Sequence, residues 1–217
     1  MSATHHLPHA TVARAPAAWP AGDFTAWPWH ELAPLPAFIC ADGGEPATWQ
    51  TTVRLCYDDA ALYVRFDCDD ADIWGSYTER DDPLYDEEVV ELFFAPGPAT
   101  PTRYAEIEIS PNGVLFDALI DNPSGLRADL RADTSWDPAV RAHAWRDDAA
   151  GRWGALLALP WAEIAPGVEP PPVWRANFFR IERPRGGSPE FSCWSPTYSA
   201  PADFHRPALF GTLALDV

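Results

Sequence analysis

The chain has 217 residues, 32 of them acidic and 15 basic for a formal net charge of −17, with 47% hydrophobic and 13% aromatic content. That apolar content excludes a disordered chain. The acidic excess excludes nucleic acid and anionic membrane surfaces as partners, and no apolar run reaches the roughly 18 residues that a transmembrane helix needs.

The 24 prolines fall mostly between the apolar runs, which suits short strands joined by structured loops. Eleven tryptophans exceed the needs of a core this size, so some are expected at the surface as flat contact groups. Cys40, Cys56, Cys68 and Cys193 match no zinc or redox spacing and are expected to be free, mostly buried thiols, which favours a reducing compartment. The N-terminus lacks the apolar segment of a secretory signal, so a cytoplasmic location is slightly favoured.

In chain order, residues 1–20 read as a poorly ordered lead-in and 21–217 as one β-sandwich domain. Asp23–His30 is expected to pack as an edge segment. Thr51–Asp58 and Leu62–Cys68 alternate as a hairpin, with Val53, Leu55 and Tyr57, then Leu62, Val64, Phe66 and Cys68, on the inner face. Asp69–Asp86 is an acidic loop holding Trp74, Tyr77 and Tyr85. Val89–Phe94, Tyr104–Ser110 and Val114–Ile120 are strands, the last two joined by a Pro111-Asn112-Gly113 turn. Asp121–Asp137 is a polar connection. Val140–Trp145 and Trp153–Leu159 form a further hairpin, Pro160–Ile164 a helical turn, and Trp174–Glu182, Phe191–Pro196 and Phe210–Leu215 close the chain. About eight to ten short strands without an amphipathic helix predict an all-β fold, an antiparallel jelly-roll-like sandwich.

Carboxylates recur at alternate positions in the middle strands. Glu91, Glu106 and Glu108 each lie on one face of a strand, with Phe93 and Tyr104 beside them and Asp117 as a further candidate. A solvated face is the ordinary explanation. However, like charges opposite one another are destabilising and call for a counter-charge or a ligand, and Arg180, on a strand with Asn177, is the expected counter-charge. Rings that stack on sugar faces, with acids and amides that bond hydroxyls, are the mixture carbohydrate recognition uses. The acidic stretches 58–72 and 79–88 could offer oxygen ligands to calcium. No catalytic motif is present. An enzyme acting on a sugar or small polar metabolite through the Glu91, Glu106 and Glu108 face, with His205 as a base and two carboxylates as a glycosidase pair, is one alternative, and a structural or partner-binding domain with a vestigial ligand site is the other.

The segments VRLCYDDAALYVRFDCDDADI, RDDPLYDEEVVELFFAPG, YAEIEISPNGVLFD, WRANFFRIER and CWSPTYSAPADFHRPALFGTLAL, in this order over residues 25–217, resemble the family 9 carbohydrate-binding modules and their DOMON-like relatives. The pairing of PLYDEEVVELFF with FHRPALFG is the most specific part. The resemblance implies a non-catalytic sandwich that clamps a sugar between two rings, which by motif fall on Tyr85 and Phe204. The acid that bonds the sugar falls on Glu91. Trp194 and His205, in the closing segment, complete the expected set with Glu106, Glu108 and Arg180. The clamp rings of sugar-binding members are Trp, whereas here they are Tyr and Phe. An Arg used there for hydroxyl contacts is replaced by Glu108, with Arg180 as the expected substitute from another strand. Structural calcium is the one cofactor the resemblance implies, and a carbohydrate is the expected partner.

Overall fold

In the computed structural model, residues 5–20, 22–167 and 169–216 are described. Thirteen strands follow one another: β1 (His9–Arg14), β2 (Ile39–Cys40), β3 (Thr51–Tyr57), β4 (Ala61–Asp69), β5 (Val89–Pro96), β6 (Arg103–Ile109) and β7 (Leu115–Asp121). After these come β8 (Arg131–Asp133), β9 (Arg141–Asp147), β10 (Arg152–Pro160), β11 (Val173–Glu182), β12 (Glu190–Cys193) and β13 (Gly211–Leu215). A single helical turn, α1 (Trp161–Ile164), follows β10.

The strands form one curled sheet in the order β8-β7-β6-β5-β11-β13-β1-β3-β4-β10-β9, with β12 and β2 attached beside β11. Most neighbours are antiparallel, but β1 runs parallel to both β13 and β3. The sheet is therefore mixed, and the purely antiparallel jelly roll expected from the sequence does not form. The reason is β1 itself. His9–Arg14, expected within an unordered lead-in, pairs with β13 over His9–Val12 and with β3 over Ala13–Arg14, and so joins the two halves of the sheet. Val12 is buried in the core, with Ala10 of the same face packed partly against it.

The core follows from the alternation read in the sequence. Val53, Leu55, Tyr57, Leu62, Val64 and Phe66 from one half face Val90, Leu92, Phe94, Ile107 and Phe178 from the other. Phe66 meets Phe178 edge-on with centroids 6.1 Å apart. Two smaller clusters cover the outer faces. Phe24, Trp27 and Trp29, on short 3-10 turns rather than an extended edge segment, pack over Cys56, Tyr63 and Leu156. On the opposite outer face, Phe93, Tyr104, Phe116, Phe179 and Ile181 pack against Phe204 and Phe210 from the closing segment. None of the eleven tryptophans is exposed, contrary to expectation: Trp27, Trp29, Trp153, Trp161, Trp174 and Trp194 are buried in these layers and the other five are half-buried. All four cysteines are free, three of them buried.

The segment between β12 and β13 matters most for the site, because it crosses the outer face of β5, β6 and β11. Asn177 on β11 anchors its start, donating from Nδ2 to Ser195 O (2.7 Å) and accepting from Ser195 N–H (2.9 Å). Arg175 anchors its end, its Nε donating to Phe210 O at 3.1 Å and Gly211 O at 3.2 Å. In the middle, Tyr198 N–H and Thr197 N–H both reach Ala41 O, at 2.8 and 3.0 Å. Gly211 allows the close approach of Trp194, since a Cβ there would lie 2.4 Å from the indole ring and 2.9 Å from Pro8 O.

Candidate functional site

The strand register decides which predicted residues meet. Glu91 on β5 pairs with Glu108 on β6, and Phe93 pairs with Glu106. Across the other edge of β5, Glu91 pairs with Phe179. Directly paired residues share a face, so Glu91, Glu106 and Glu108 stand together with Phe93, Tyr104 and Phe179. Carboxylate oxygens from the three glutamates lie within 4.8 Å of one another. This is no solvated face: Glu91 is 2%, Glu106 5% and Glu108 0% exposed, because the 194–210 segment roofs it.

The roof leaves a cleft of about 980 Å³, whose lining includes Tyr85, Glu91, Glu106, Glu108, Phe204 and His205. Six of the eight residues expected in the site thus converge. The cleft is open, not filled by the chain's own side chains.

Tyr85 sits at its mouth on a 3-10 turn, Leu84–Asp86, following Pro83. Leu84 turns inward and is buried, which fixes the turn and leaves the neighbouring Tyr85 ring 44% exposed. The ring meets Phe116 edge-on at 5.8 Å, and Arg183 donates to Tyr85 O at 3.2 Å. Phe204 stacks on Phe179 with centroids 4.2 Å apart and planes at 17°, so one of its faces is occupied. His205 Nδ1 lies 2.9 Å from the Tyr104 hydroxyl. Burial, then the positive charge of Arg127, pushes the imidazole down to about 4, so it is neutral near pH 7.

Burial raises all three carboxyls. Glu106 is pushed up to about 7. Glu91 is held well above the usual carboxylate range by burial and by Glu106, and Glu108 by burial, Glu91 and Glu106. Both oxygens of Glu108 and one of Glu91 have no hydrogen-bond partner.

Arg180 is not among them. On β11 it pairs with Val90 and so points away from Phe179 and Glu91, into the space between the sheet halves. There it is fully buried over the Trp153 ring, bonded to Asp70 (2.9 Å), Glu182 and the Asp69 carbonyl (2.8 Å). Trp194 is also absent from the cleft. It lies in the main core, edge-on to Phe178 at 5.8 Å. Asp117 faces the opposite side from the glutamates and pairs with Arg80 at 2.5 Å. The sequence reading missed Tyr198, a half-exposed ring in the cleft wall with φ of 51°, and Arg127 at its rim. The Tyr in CWSPTYSAPADF was the available signal for the first.

The acidic stretches expected to hold calcium contribute Asp70 and Glu88 to one buried cluster. Asp70, Glu88 and Glu182 converge within 4.8 Å, but the Arg180 guanidinium already bonds two of them, which puts a cation of the chain's own where an ion would sit. The glutamates of the cleft also bring carboxylate oxygens into mutual reach, but they lie outside the stretches 58–72 and 79–88 expected to hold calcium.

No family model matches the chain. A protein of Arthroderma benhamiae described as an extracellular protein is 28% identical over 172 residues, covering 74% of this chain and 76% of that one. Three solved structures share the fold. One, from Bacteroides uniformis and provisionally assigned as a carbohydrate-binding protein, superposes with a TM-score of 0.76 at 17% identity over 97% of this chain and 100% of its own. The other two are of a family 9 carbohydrate-binding module from Caldicellulosiruptor kristjanssonii. Its glucose complex gives a TM-score of 0.61 at 13% identity, over 96% of each chain. Its cellotriose complex gives 0.57 at 15% identity, over 96% of this chain and 93% of that one. The fold is thus that of the family 9 modules.

Proposed function

We propose that this protein is a non-catalytic carbohydrate-binding domain whose ligand enters the cleft beneath the 194–210 segment. The observation that carries the reading is the convergence of an exposed ring with buried carboxylates in one open cleft. Tyr85 supplies a flat apolar surface at the mouth, and Glu91 and Glu108 supply unpartnered acceptors on the floor. An apolar wall with a few placed polar groups is the usual constitution of a small-molecule site. Ring faces suit pyranose C–H surfaces, and carboxylates accept hydrogen bonds from hydroxyls. The carbohydrate complexes of the module that shares this fold support the same reading.

The clamp differs from the one expected from sequence. Tyr85 is the free stacking surface, while Phe204 backs the site with one face committed to Phe179. Arg180 orients nothing in the cleft. A hydrolytic role finds less support, since glycoside hydrolysis wants one carboxyl on either side of the scissile bond and here the three are gathered in one patch.

The test is calorimetric titration of mono- and disaccharides into the protein and into Tyr85→Ala. Saturable binding is expected, weakened about tenfold or more by the substitution, the size of a moderate hot spot at 1.4 kcal/mol per factor of ten. Binding that ignores Tyr85→Ala would place the ligand elsewhere, and no binding to any sugar would end the reading.

A further inference from the structure

The floor of the cleft poses a charge problem that a neutral sugar does not solve. Three carboxyl groups lie within mutual reach and are at least nine-tenths buried. Among the described residues no donor from the rest of the chain reaches either oxygen of Glu108 or one oxygen of Glu91, so the only bond Glu108 makes is through a proton shared with Glu106. No arginine or histidine among those residues forms an ion pair with any of the three. Of the arginines at the rim, Arg127 is mostly exposed, reaches Asp203 at 3.5 Å and acts on Glu91 and Glu106 only from a distance. The sequence contains no lysine.

The other buried acidic cluster shows what this chain does when it balances such a group itself. Asp70, Glu88 and Glu182 surround Arg180, which bonds Asp70 at 2.9 Å and also Glu182. The two clusters meet only at β5, where Glu88 just before the strand and Glu91 within it leave on opposite faces. Only the one between the sheet halves has a cation bonded to it. Among the described residues the one that opens to solvent has no ion pair, and its arginines, Arg127, Arg183 and Arg206, line the wall of the cleft.

We propose that the Glu91–Glu106–Glu108 floor is a seat for a protonated primary amine, and that the carbohydrate taken by this cleft is an amino sugar. The inference rests on the carbohydrate reading above and narrows it. An ammonium has three N–H donors in tetrahedral directions. With charge-assisted bonds of about 2.8 Å it holds its acceptors about 4.6 Å apart, a spacing that three oxygens lying within 4.8 Å of one another can reach. Sugar hydroxyls could donate to the same oxygens, but they bring no positive charge, and crowded carboxylates cannot all ionise without one. The net charge of −17 draws cationic ligands towards the protein and disfavours anionic ones. Tyr85, at the mouth of the same cleft, is placed to cover the sugar ring while the amine reaches the floor.

The experiment compares glucose, glucosamine, N-acetylglucosamine and ethylamine by calorimetry at neutral pH, on the wild type and on Glu108→Gln, with calcium chloride titrated alone. Circular dichroism checks that the variant folds, and Glu106→Gln stands in if it does not. Glucosamine is expected to bind at least about tenfold more tightly than glucose or N-acetylglucosamine, a difference of about 1.4 kcal/mol, and the ratio should fall towards one in the variant. Glucose binding as well as glucosamine would overturn the amine seat and leave the carbohydrate reading standing. Ethylamine matching glucosamine, with glucose silent, would keep the seat and overturn the carbohydrate reading. Saturable calcium binding lost in Glu108→Gln would make the floor a metal site and overturn the amine seat. No binding of any ligand would overturn both.

Discussion

Replacing Glu106 by Gln should stabilise the free protein at alkaline pH and leave it unchanged at acid pH. The wild-type carboxyl is buried on the cleft floor, and burial moves it from its ordinary 4.5 to about 7. The charged groups and the histidine that share the cleft with it are Glu91 and Glu108 on the same sheet, Asp86 from the turn before β5, Arg127 after β7, Arg183 after β11, and Asp203, His205 and Arg206 from the roofing segment. A carboxyl that holds its proton more tightly when folded favours the folded state below the unfolded value. That contribution is then lost as pH rises through the folded value. At 1.36 kcal/mol per pH unit, the span from 4.5 to about 7 corresponds to about 3 kcal/mol. Glu106 is fully enough buried that solvent screening does not discount this. Gln has nearly the same shape and no ionisation to suppress, so at pH 8 the variant should be about 3 kcal/mol more stable. In a chain this long, that is roughly 6–12 °C of melting temperature. Urea denaturation of both proteins at pH 4.5 and pH 8 measures it. A difference that stays constant across that range, or a variant less stable than wild type at pH 8, would refute the account of the floor as crowded, uncompensated carboxyls.

Arg180→Met should cost about 3–5 kcal/mol at neutral pH, since it strips the one cation from Asp70, Glu88 and Glu182. The loss should shrink on acidification as those carboxyls take up protons, Glu88 already being pushed up to about 9 and Glu182 to about 7, first by burial; a pH-independent loss would contradict this. Deleting residues 1–14 should lower the denaturation midpoint sharply, because β3 and β13 lose their shared neighbour and Val12 leaves the core. The Val12 side chain alone accounts for about 1.5–3 kcal/mol, and an unchanged midpoint would show that β1 contributes nothing. Gly211→Ala should destabilise by displacing the Trp194 ring, which thermal melts followed by tryptophan fluorescence would report, and a melt matching wild type would show that the close approach is unimportant.

What could be read in the sequence was what local alternation encodes. The hairpin of β3 and β4 and the meander of β5, β6 and β7 have inward positions that recur every second residue, and the core contains the residues so marked. β1 escaped because HATVAR carries one buried side chain and pairs, parallel, with strands far along the chain. Six residues cannot advertise a non-local pairing. Arg180 was misplaced for a different reason. Alternation already put it with Phe178 and Glu182, opposite Phe179, but which of these sets faces Glu91 depends on how β11 registers with β5. The burial of Glu91, Glu106 and Glu108 was equally out of reach, since it depends on a roof supplied about ninety residues later and pinned by Asn177 and Arg175. The hint was the company those acids keep: Phe93 and Tyr104 lie on the same face, and rings of that size are rarely left in water beside a solvated acid.

The two acidic clusters also connect the stability of this protein to its binding. Glu88 and Glu91 are three residues apart at the start of β5, so their side chains leave the sheet on opposite faces. Arg180 serves the first and has the backbone of β5 and β11 between it and the second. Under the amine proposal, the cation that bonds the glutamates arrives with the ligand. Until it does, the folded protein carries the cost that Glu106→Gln removes. A ligand cation therefore relieves a strain of the free protein as well as adding contacts of its own. The same substitution should thus act in opposite directions on two measurements. It raises the melting temperature of the free protein and reduces the further rise produced by a saturating amine, since ligand stabilisation follows affinity for the folded state. Such a conflict between stability and function is common where a site is built from groups that do not suit one another in the ligand's absence. Here it would identify the glutamate floor as a binding surface and not merely a solvated face that happened to be roofed over.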